Sequence, residues 1–262
     1  MRLLTHAETH PGYVRTNNED AHLLLGHRGL VVIADGMAGH EYGELASAIA
    51  VKTMRQFYES EELNRLLRQQ FTRAKRASLV PRNHPFEQYK LQRAVEEANV
   101  AIYVAAERNP QYENMGTTIV ASLVSEHSLF VGHVGDSRIY RFRRGQLQQL
   151  TEDHSLLNEY LRMNFLRPED AASFPLKNVI VRALGLQEKV EVDTAMKSAR
   201  DGDLIMLCSD GLSDLVEEAD IAAAFAGEEE PEAIARRLVD MALDGGGLDN
   251  VTVVVARIEE SE

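Results

Sequence analysis

The chain has 262 residues, 44% hydrophobic and 26% charged, the balance of a soluble globular protein long enough for a substantial core. Its single cysteine, Cys208, excludes an internal disulfide framework and a cysteine-rich zinc site. No run approaches the roughly 18 apolar residues of a membrane span, the N-terminus lacks a signal-peptide core, and the net charge of −13 is a poor match to nucleic acid. The expectation is a cytoplasmic protein with neither a membrane nor a nucleic-acid partner.

In chain order, residues 21–26 and 29–34 read as short strands. Residues 41–58 follow as a helix carrying Leu45, Ile49, Thr53 and Phe57 at helical spacing. Residues 61–80 read as helix, interrupted by Pro81 and Pro85, and 86–107 as a long helix with Ala94, Val95, Ala98, Ile102 and Ala105 on one side. Four strand-like runs, 117–124, 128–134, 137–142 and 146–150, form an antiparallel meander with Arg144-Gly145 at one turn. A polar stretch with a short helix near 154–162 precedes a strand at 203–208, helices at 217–226 and 231–243, the turn Gly245-Gly246-Gly247 and a strand at 251–258. Strands in meanders with helices in blocks argue for an α+β layered sandwich rather than a doubly wound parallel sheet. No repeat or linker marks a boundary, so one domain is expected over 1–262.

Charge is uneven. Residues 201–262 hold 17 acids against 3 bases, whereas 52–93 hold 10 bases against 4 acids, with Arg65, Arg68, Arg73, Lys75 and Arg76 among them. That basic stretch reads as a solvated helix face, or as a docking surface for an acidic or phosphorylated partner.

Four aspartates share a context. Asp35 follows Val-Val-Ile-Ala, Asp136 follows Phe-Val-Gly-His-Val-Gly, Asp210 follows Leu-Ile-Met-Leu-Cys-Ser, and Asp249 precedes Val-Thr-Val-Val-Val. A carboxylate at the end of a buried strand is costly unless paired or bound to a cation, and no four matching basic partners lie nearby in sequence. Gly36 and Gly211 next to two of them permit close backbone approach to an ion. Taken singly each Asp-Gly is an ordinary turn dipeptide; together the four point to a divalent metal site. All-oxygen ligands suit Mg²⁺ or Mn²⁺. Glu19 and Asp20 are candidates to extend that shell, and Arg15 to clamp a phosphate.

These residues fall in ordered motifs: Arg15-Thr-Asn-Asn-Glu-Asp20, Ala34-Asp-Gly-Met-Ala-Gly-His40 with Gly43-Glu44, Met115-Gly-Thr-Thr118, Val134-Gly-Asp-Ser-Arg138, Asp153-His-Ser155, Asn178-Val-Ile-Val-Arg-Ala-Leu-Gly185, Cys208-Ser-Asp-Gly-Leu212 and Asp249-Asn-Val-Thr252. The set resembles the metal-dependent serine/threonine protein phosphatases of the type-2C (PPM) family, bacterial branch. The resemblance implies a four-layer α-β-β-α sandwich, two antiparallel sheets flanked by helix pairs, with a flap at about 153–180. It implies two Mn²⁺ or Mg²⁺ ions held by Asp35, the Gly36 carbonyl, Asp210 and Asp249, with Glu19 and Asp20 acting through waters. A third ion would lie on Asp136 with Asp210, and Arg15 would bind the substrate phosphate. Substrates would be phosphoserine and phosphothreonine proteins, a bacterial Ser/Thr kinase or its targets, and the chain a monomer.

Two positions depart from the family pattern. Met37 stands where eukaryotic members carry the proposed acid histidine, which leaves His40 as candidate proton donor, and Val181 stands where threonine is common. By the implied mechanism, paired divalent ions lower the pKa of a water that attacks phosphorus in line. Covalent alternatives fail on the sequence. The sixth residue beyond Cys208, where a Cys-x5-Arg loop needs its arginine, is Asp214, and Asp35-Gly36-Met37 is not an Asp-x-Asp nucleophile motif. A non-catalytic docking module is the alternative; retention of Asp35, Asp210 and Asp249 favours an enzyme. His133 and the other scattered histidines lack zinc-type spacing, and His154 reads as positional.

Overall fold

The computed structural model describes residues 1–37, 42–227 and 230–260. The chain opens with strands β1 (Arg2–His10), β2 (Asp20–Leu25) and β3 (Leu30–Met37), then helices α1 (Gly43–Glu59), α2 (Glu61–Arg76) and α3 (Phe86–Arg108). Strands β4 (Gly116–Thr117), β5 (Ile119–Ser125), β6 (Ser128–Val134), β7 (Arg138–Arg143) and β8 (Gln146–Gln149) follow. Helix α4 (Leu156–Arg162) and a largely irregular stretch lead to β9 (Asp193–Ser198) and β10 (Leu204–Cys208). Helices α5 (Asp210–Ser213), α6 (Glu218–Ala224) and α7 (Pro231–Asp244) precede β11 (Val251–Glu259).

The strands form two sheets, ordered β1-β11-β10-β7-β8 and β2-β3-β5-β6-β9, with β4 paired to β3. Every strand pairing is antiparallel. The continuous apolar runs are explained by burial on both faces. In β3, Val31 and Ile33 face the other sheet while Leu30, Val32 and Ala34 pack toward α1 and α3. In β10 and β11, Ile205, Leu207, Val254, Ala256 and Ile258 fill the space between the sheets. Leu204, Met206, Cys208, Val251, Val253 and Val255 face outward, where Ile234, Leu238 and Ala242 of α7 and Ile221 of α6 cover them. Period-2 alternation thus sends each strand into two cores, and the α-β-β-α layering follows from it.

Several expected boundaries move. The buried line of α1 is Ala46, Ala50, Met54 and Phe57, with Leu45, Ile49 and Thr53 only partly buried; small alanines let the helix lie close to its neighbours while larger residues flank the contact. Helix α2 stops at Arg76 rather than 80, and Ser78 just beyond it is left-handed at φ 57. Strand β3 continues to Met37, so Asp35 and Gly36 lie within it. Strands β1 and β9 and the short helix α5 were not foreseen from the sequence. The Arg144-Gly145 turn stands as read, with both residues at positive φ.

Candidate active site

The topology gathers the aspartates at one end of the sandwich. Asp20 opens β2 and Asp35 lies near the end of β3, and the two are direct cross-strand partners. In the other sheet β10 ends at Cys208, opposite Arg138 at the start of β7 and Val253 near the start of β11. Asp136 just before β7, Asp210 just after β10 and Asp249 just before β11 therefore share that sheet's corresponding end. Sequence positions more than 200 residues apart meet because antiparallel strands bring starts beside ends.

Hydroxyls and amides lock this arrangement across the two sheets. The Asp35 carbonyl accepts from Thr118 N and from Thr117 Oγ1, each at 2.8 Å, and Asp35 N donates to Thr118 Oγ1 at 3.2 Å. Thr118 Oγ1 in turn lies 2.7 Å from Ser137 Oγ, next to Asp136. Ser209 Oγ donates to Asp20 Oδ2 at 2.8 Å and accepts from Thr252 N at 2.9 Å. Asn250 staples the N-terminal segment: its Nδ2 donates to the Pro11 and Asn17 carbonyls, and its Oδ1 accepts from Glu19 N at 2.8 Å. Gly36 has to be glycine, because a Cβ there would lie 2.2 Å from the Gly43 carbonyl oxygen and 2.5 Å from that of Glu19. Glu19 itself reaches the start of α1, where a Cβ on Gly43 would meet its Oε2 at 2.3 Å.

The electrostatics are those of carboxylates crowded without cations. Desolvation, followed by repulsion from Asp20, Asp210, Asp136 and Asp249, holds Asp35 well above the usual carboxylate range. The same pair of causes raises Asp210 to about 8, with Asp136 its strongest repelling neighbour. Asp20 and Asp136 rise to about 6, mainly through desolvation. Glu19 is raised too, by desolvation and then by Glu44. Two of the nearby arginines are already committed. Arg15 Nη2 pairs with Asp249 Oδ2 at 2.6 Å, and Arg138 grips Asp153 through Nε and Nη2. Asp20 Oδ1 and Asp136 Oδ1 are buried with no hydrogen-bond partner.

Of the residues singled out from the sequence, Arg15, Glu19, Asp20, Asp35, Gly36, Asp136, Asp210 and Asp249 all belong to this end. His40 lies outside the described residues. The basic stretch does not line the acidic end. Glu61, Asn64, Arg65, Arg68, Gln69, Thr72, Arg73 and Arg76 edge a shallow groove on α2, beyond the far end of α1, whose 17 residues span about 25 Å.

Sequence reasoning gave no role to Asp153, Asp214 or Arg182 and did not single out Asp193. Asp214 raises Asp210 and Asp136 by repulsion and accepts from Asn178 Nδ2 at 2.8 Å; its place one helical turn after Asp210 was the available signal. His133, His154 and Asp193 bring ligand-type atoms within 4.8 Å of one another. Their hydrogen bonds argue against a metal there. His154 Nδ1 accepts from Gly135 N–H at 3.0 Å, so Nε2 carries the proton and faces Asp193 Oδ2 at 3.3 Å, while Arg182 Nη1 holds Asp193 Oδ1 at 2.9 Å. The Cys208 thiol is buried in an outer core and raised to about 12, which fits packing rather than nucleophilic chemistry.

Comparison with known proteins gives a consistent result. A family model described as protein phosphatase 2C matches residues 13–240. The serine/threonine protein phosphatase PstP of Mycobacterium tuberculosis is 39% identical over 252 residues, covering 96% of this chain and 44% of PstP, so the chain spans less than half of that relative. The serine/threonine phosphatase stp of Listeria innocua is 35% identical over 255 residues, covering 95% of this chain and 94% of its own length. Among solved structures, the Mycobacterium tuberculosis phosphatase PstP/Ppp superposes with a TM-score of 0.85 at 36% identity, over 99% of this chain and 100% of that one. A PstP catalytic domain in complex with two manganese ions gives 0.80 at 36% identity, with 99% of each chain covered.

Proposed function

The chain belongs to the protein phosphatase 2C family, and from that premise we propose that it is a metal-dependent protein serine/threonine phosphatase, with residues 1–262 forming one catalytic domain. The observation that carries the reading is the set of desolvated, mutually repelling carboxylates drawn from both sheets to one end.

The residues present fit divalent ions. Two buried carboxylate oxygens, Asp20 Oδ1 and Asp136 Oδ1, are orphaned, and the donors are hard oxygens with no thiolate or imidazole among them. We assign Asp35, the Gly36 carbonyl, Asp210 and Asp249 to two ions, Mn²⁺ or Mg²⁺, with Glu19 and Asp20 ordering their waters. Asp136 and Asp210 are assigned to a third ion. Bound there, such ions supply Lewis acidity that lowers the pKa of the attacking water and offsets phosphate charge.

The protein's own groups do the rest. The Arg15 guanidinium, more than half exposed and paired through Nη2 with Asp249, presents a fork suited to the substrate phosphate and orients it for in-line displacement. Ser209, Thr118 and Asn250 hold the carboxylates and the N-terminal segment in place, so little reorganisation accompanies reaction. The departing serine or threonine oxygen needs a proton, for which His40 is the candidate donor. Substrates are phosphoserine and phosphothreonine proteins, a Ser/Thr kinase or its targets among them, met in the cytoplasm by a monomer. No helix among the described residues is long and apolar enough to cross a membrane.

The test is phosphate release from matched phosphothreonine and phosphotyrosine peptides, with Mn²⁺, with Mg²⁺ and with excess chelator. Release from the phosphothreonine peptide alone, abolished by chelator, is expected. Absence of release with either metal, from folded protein that binds metal, would favour the docking-module alternative.

A further inference from the structure

One histidine joins the acidic end to the segment that runs from Asp153 to Arg182. Gly135 and His154 bond twice: Gly135 N–H donates to His154 Nδ1 at 3.0 Å, and His154 N–H donates to the Gly135 carbonyl at 2.9 Å. Gly135 sits at φ +108, and a Cβ there would lie 2.6 Å from Thr118 Cβ, so its peptide plane has little freedom of its own. Asp136 follows directly, with its buried Oδ1 unpartnered. The N–H belongs to the Val134–Gly135 peptide plane and the carbonyl to the Gly135–Asp136 plane, so the two bonds together fix the Gly135 dihedrals from which the Asp136 carboxylate departs.

The other side of His154 reaches the flap base. Its carbonyl accepts from Val181 N at 2.9 Å, Ser155 bridges to Ile180, and Leu156 N donates to the Val179 carbonyl at 2.8 Å. Its ring stacks on His133 at 4.6 Å, and His133 Nε2 is anchored 2.8 Å from the Glu152 carbonyl. Nε2 of His154 faces Asp193 of β9, which Arg182 from the far strand of the flap base also holds. Because a backbone N–H can only donate, Nδ1 must be an acceptor, so the neutral ring carries its proton on Nε2, which lies 3.3 Å from Asp193 Oδ2 and 3.1 Å from Arg182 Nη1.

We propose that His154 is a positioning residue whose Nδ1, by accepting the Gly135 N–H, sets the Asp136 carboxylate and couples it to the placement of the flap. The proposal rests on reading Asp136 as part of the working acidic end. Asparagine can place an acceptor where Nδ1 stands; glutamine places its amide where Nε2 stands and leaves Gly135 N–H unpaired.

The experiment compares His154→Asn and His154→Gln with the parent by two readouts. The first is amide hydrogen exchange at Gly135 and across residues 154–181 in metal-free protein; the second is the Mn²⁺ concentration giving half-maximal hydrolysis of a phosphothreonine peptide. His154→Gln is expected to speed exchange at Gly135 and at the flap base about tenfold and to raise the Mn²⁺ requirement about tenfold. His154→Asn is expected to stay within about threefold of the parent on both, since it keeps the acceptor. Equal behaviour of the two variants, whether both impaired or both unaffected, would overturn the proposal. Should His154→Gln not fold, the through-bond ¹⁵N–¹⁵N coupling between Gly135 N and His154 Nδ1 in the parent decides it, and its absence would overturn the assignment. Exchange that follows the expected pattern without hydrolysis at any Mn²⁺ concentration would refute the phosphatase reading and leave the positioning role standing.

Discussion

Replacing Asp210 by asparagine should stabilise the metal-free protein. Asp210 rises to about 8 from an ordinary 3.8 because it is desolvated and repelled by Asp136, Asp214 and Asp249. In the unfolded chain it ionises near 3.8, while in the folded chain it keeps its proton up to about 8. Its contribution is therefore most favourable below pH 4 and is lost progressively as pH rises to about 8. At pH 7 the penalty is at most roughly 4 kcal/mol, at 1.36 kcal/mol per pH unit between 3.8 and 7. Part of the residue surface remains open, so water and ions screen the charge, and about 1–3 kcal/mol is expected to be realised. For a chain of this size that corresponds to a Tm increase of about 3–10 °C for Asp210→Asn over the parent. The assay is thermal unfolding in excess chelator at pH 8 and pH 5, with the difference larger at pH 8. An Asp210→Asn variant less stable than the parent at pH 8 in chelator would refute the reasoning, since it would mean that the carboxylate is compensated by protein groups alone.

Other outcomes follow from named contacts. Arg143 holds Asp203, 2% exposed, through both Nε and Nη2, so Arg143→Ala should destabilise by about 3–5 kcal/mol in denaturant unfolding. Arg2→Ala, which removes a pair on a 72% exposed arginine, should change stability by under about 1 kcal/mol. Arg15→Ala should lower kcat/KM for a phosphopeptide by about 10²-fold, and Arg15→Lys should recover only part of it, because lysine supplies charge without the planar fork. Charge reversal at Arg65, Arg73 and Arg76, which edge the groove on α2, should leave hydrolysis of a small phosphate ester unchanged when measured beside the parent.

How far this was legible depends on which physical signal each element carries. Runs such as Val31–Ala34 and Val253–Ala256 were readable because both faces are buried, leaving no polar interruption. Strand β1 was not, because Thr5, His6, Glu8 and His10 mix polar groups into an edge strand that pairs with β11 alone. Strand β9, also an edge, carries Asp193, Thr194 and Lys197 for the same reason. The acidic end was legible because aspartates after apolar strands are costly and rare enough to stand out. The groups that hold it were less so. Asn250 looked like an ordinary neighbour of Asp249, and the Gly135–His154–Asp193–Arg182 chain depends on pairings between separate segments that no local pattern encodes.

The most direct test of the central claim is phosphate release from a phosphothreonine peptide by the parent and by Asp210→Asn, each with saturating Mn²⁺ and each with excess chelator. The account predicts release by the parent only with Mn²⁺, and a loss of at least about 10²-fold in the variant although its fold is intact. Undiminished release by Asp210→Asn, or release by the parent in chelator, would contradict a metal-dependent reaction built on these carboxylates.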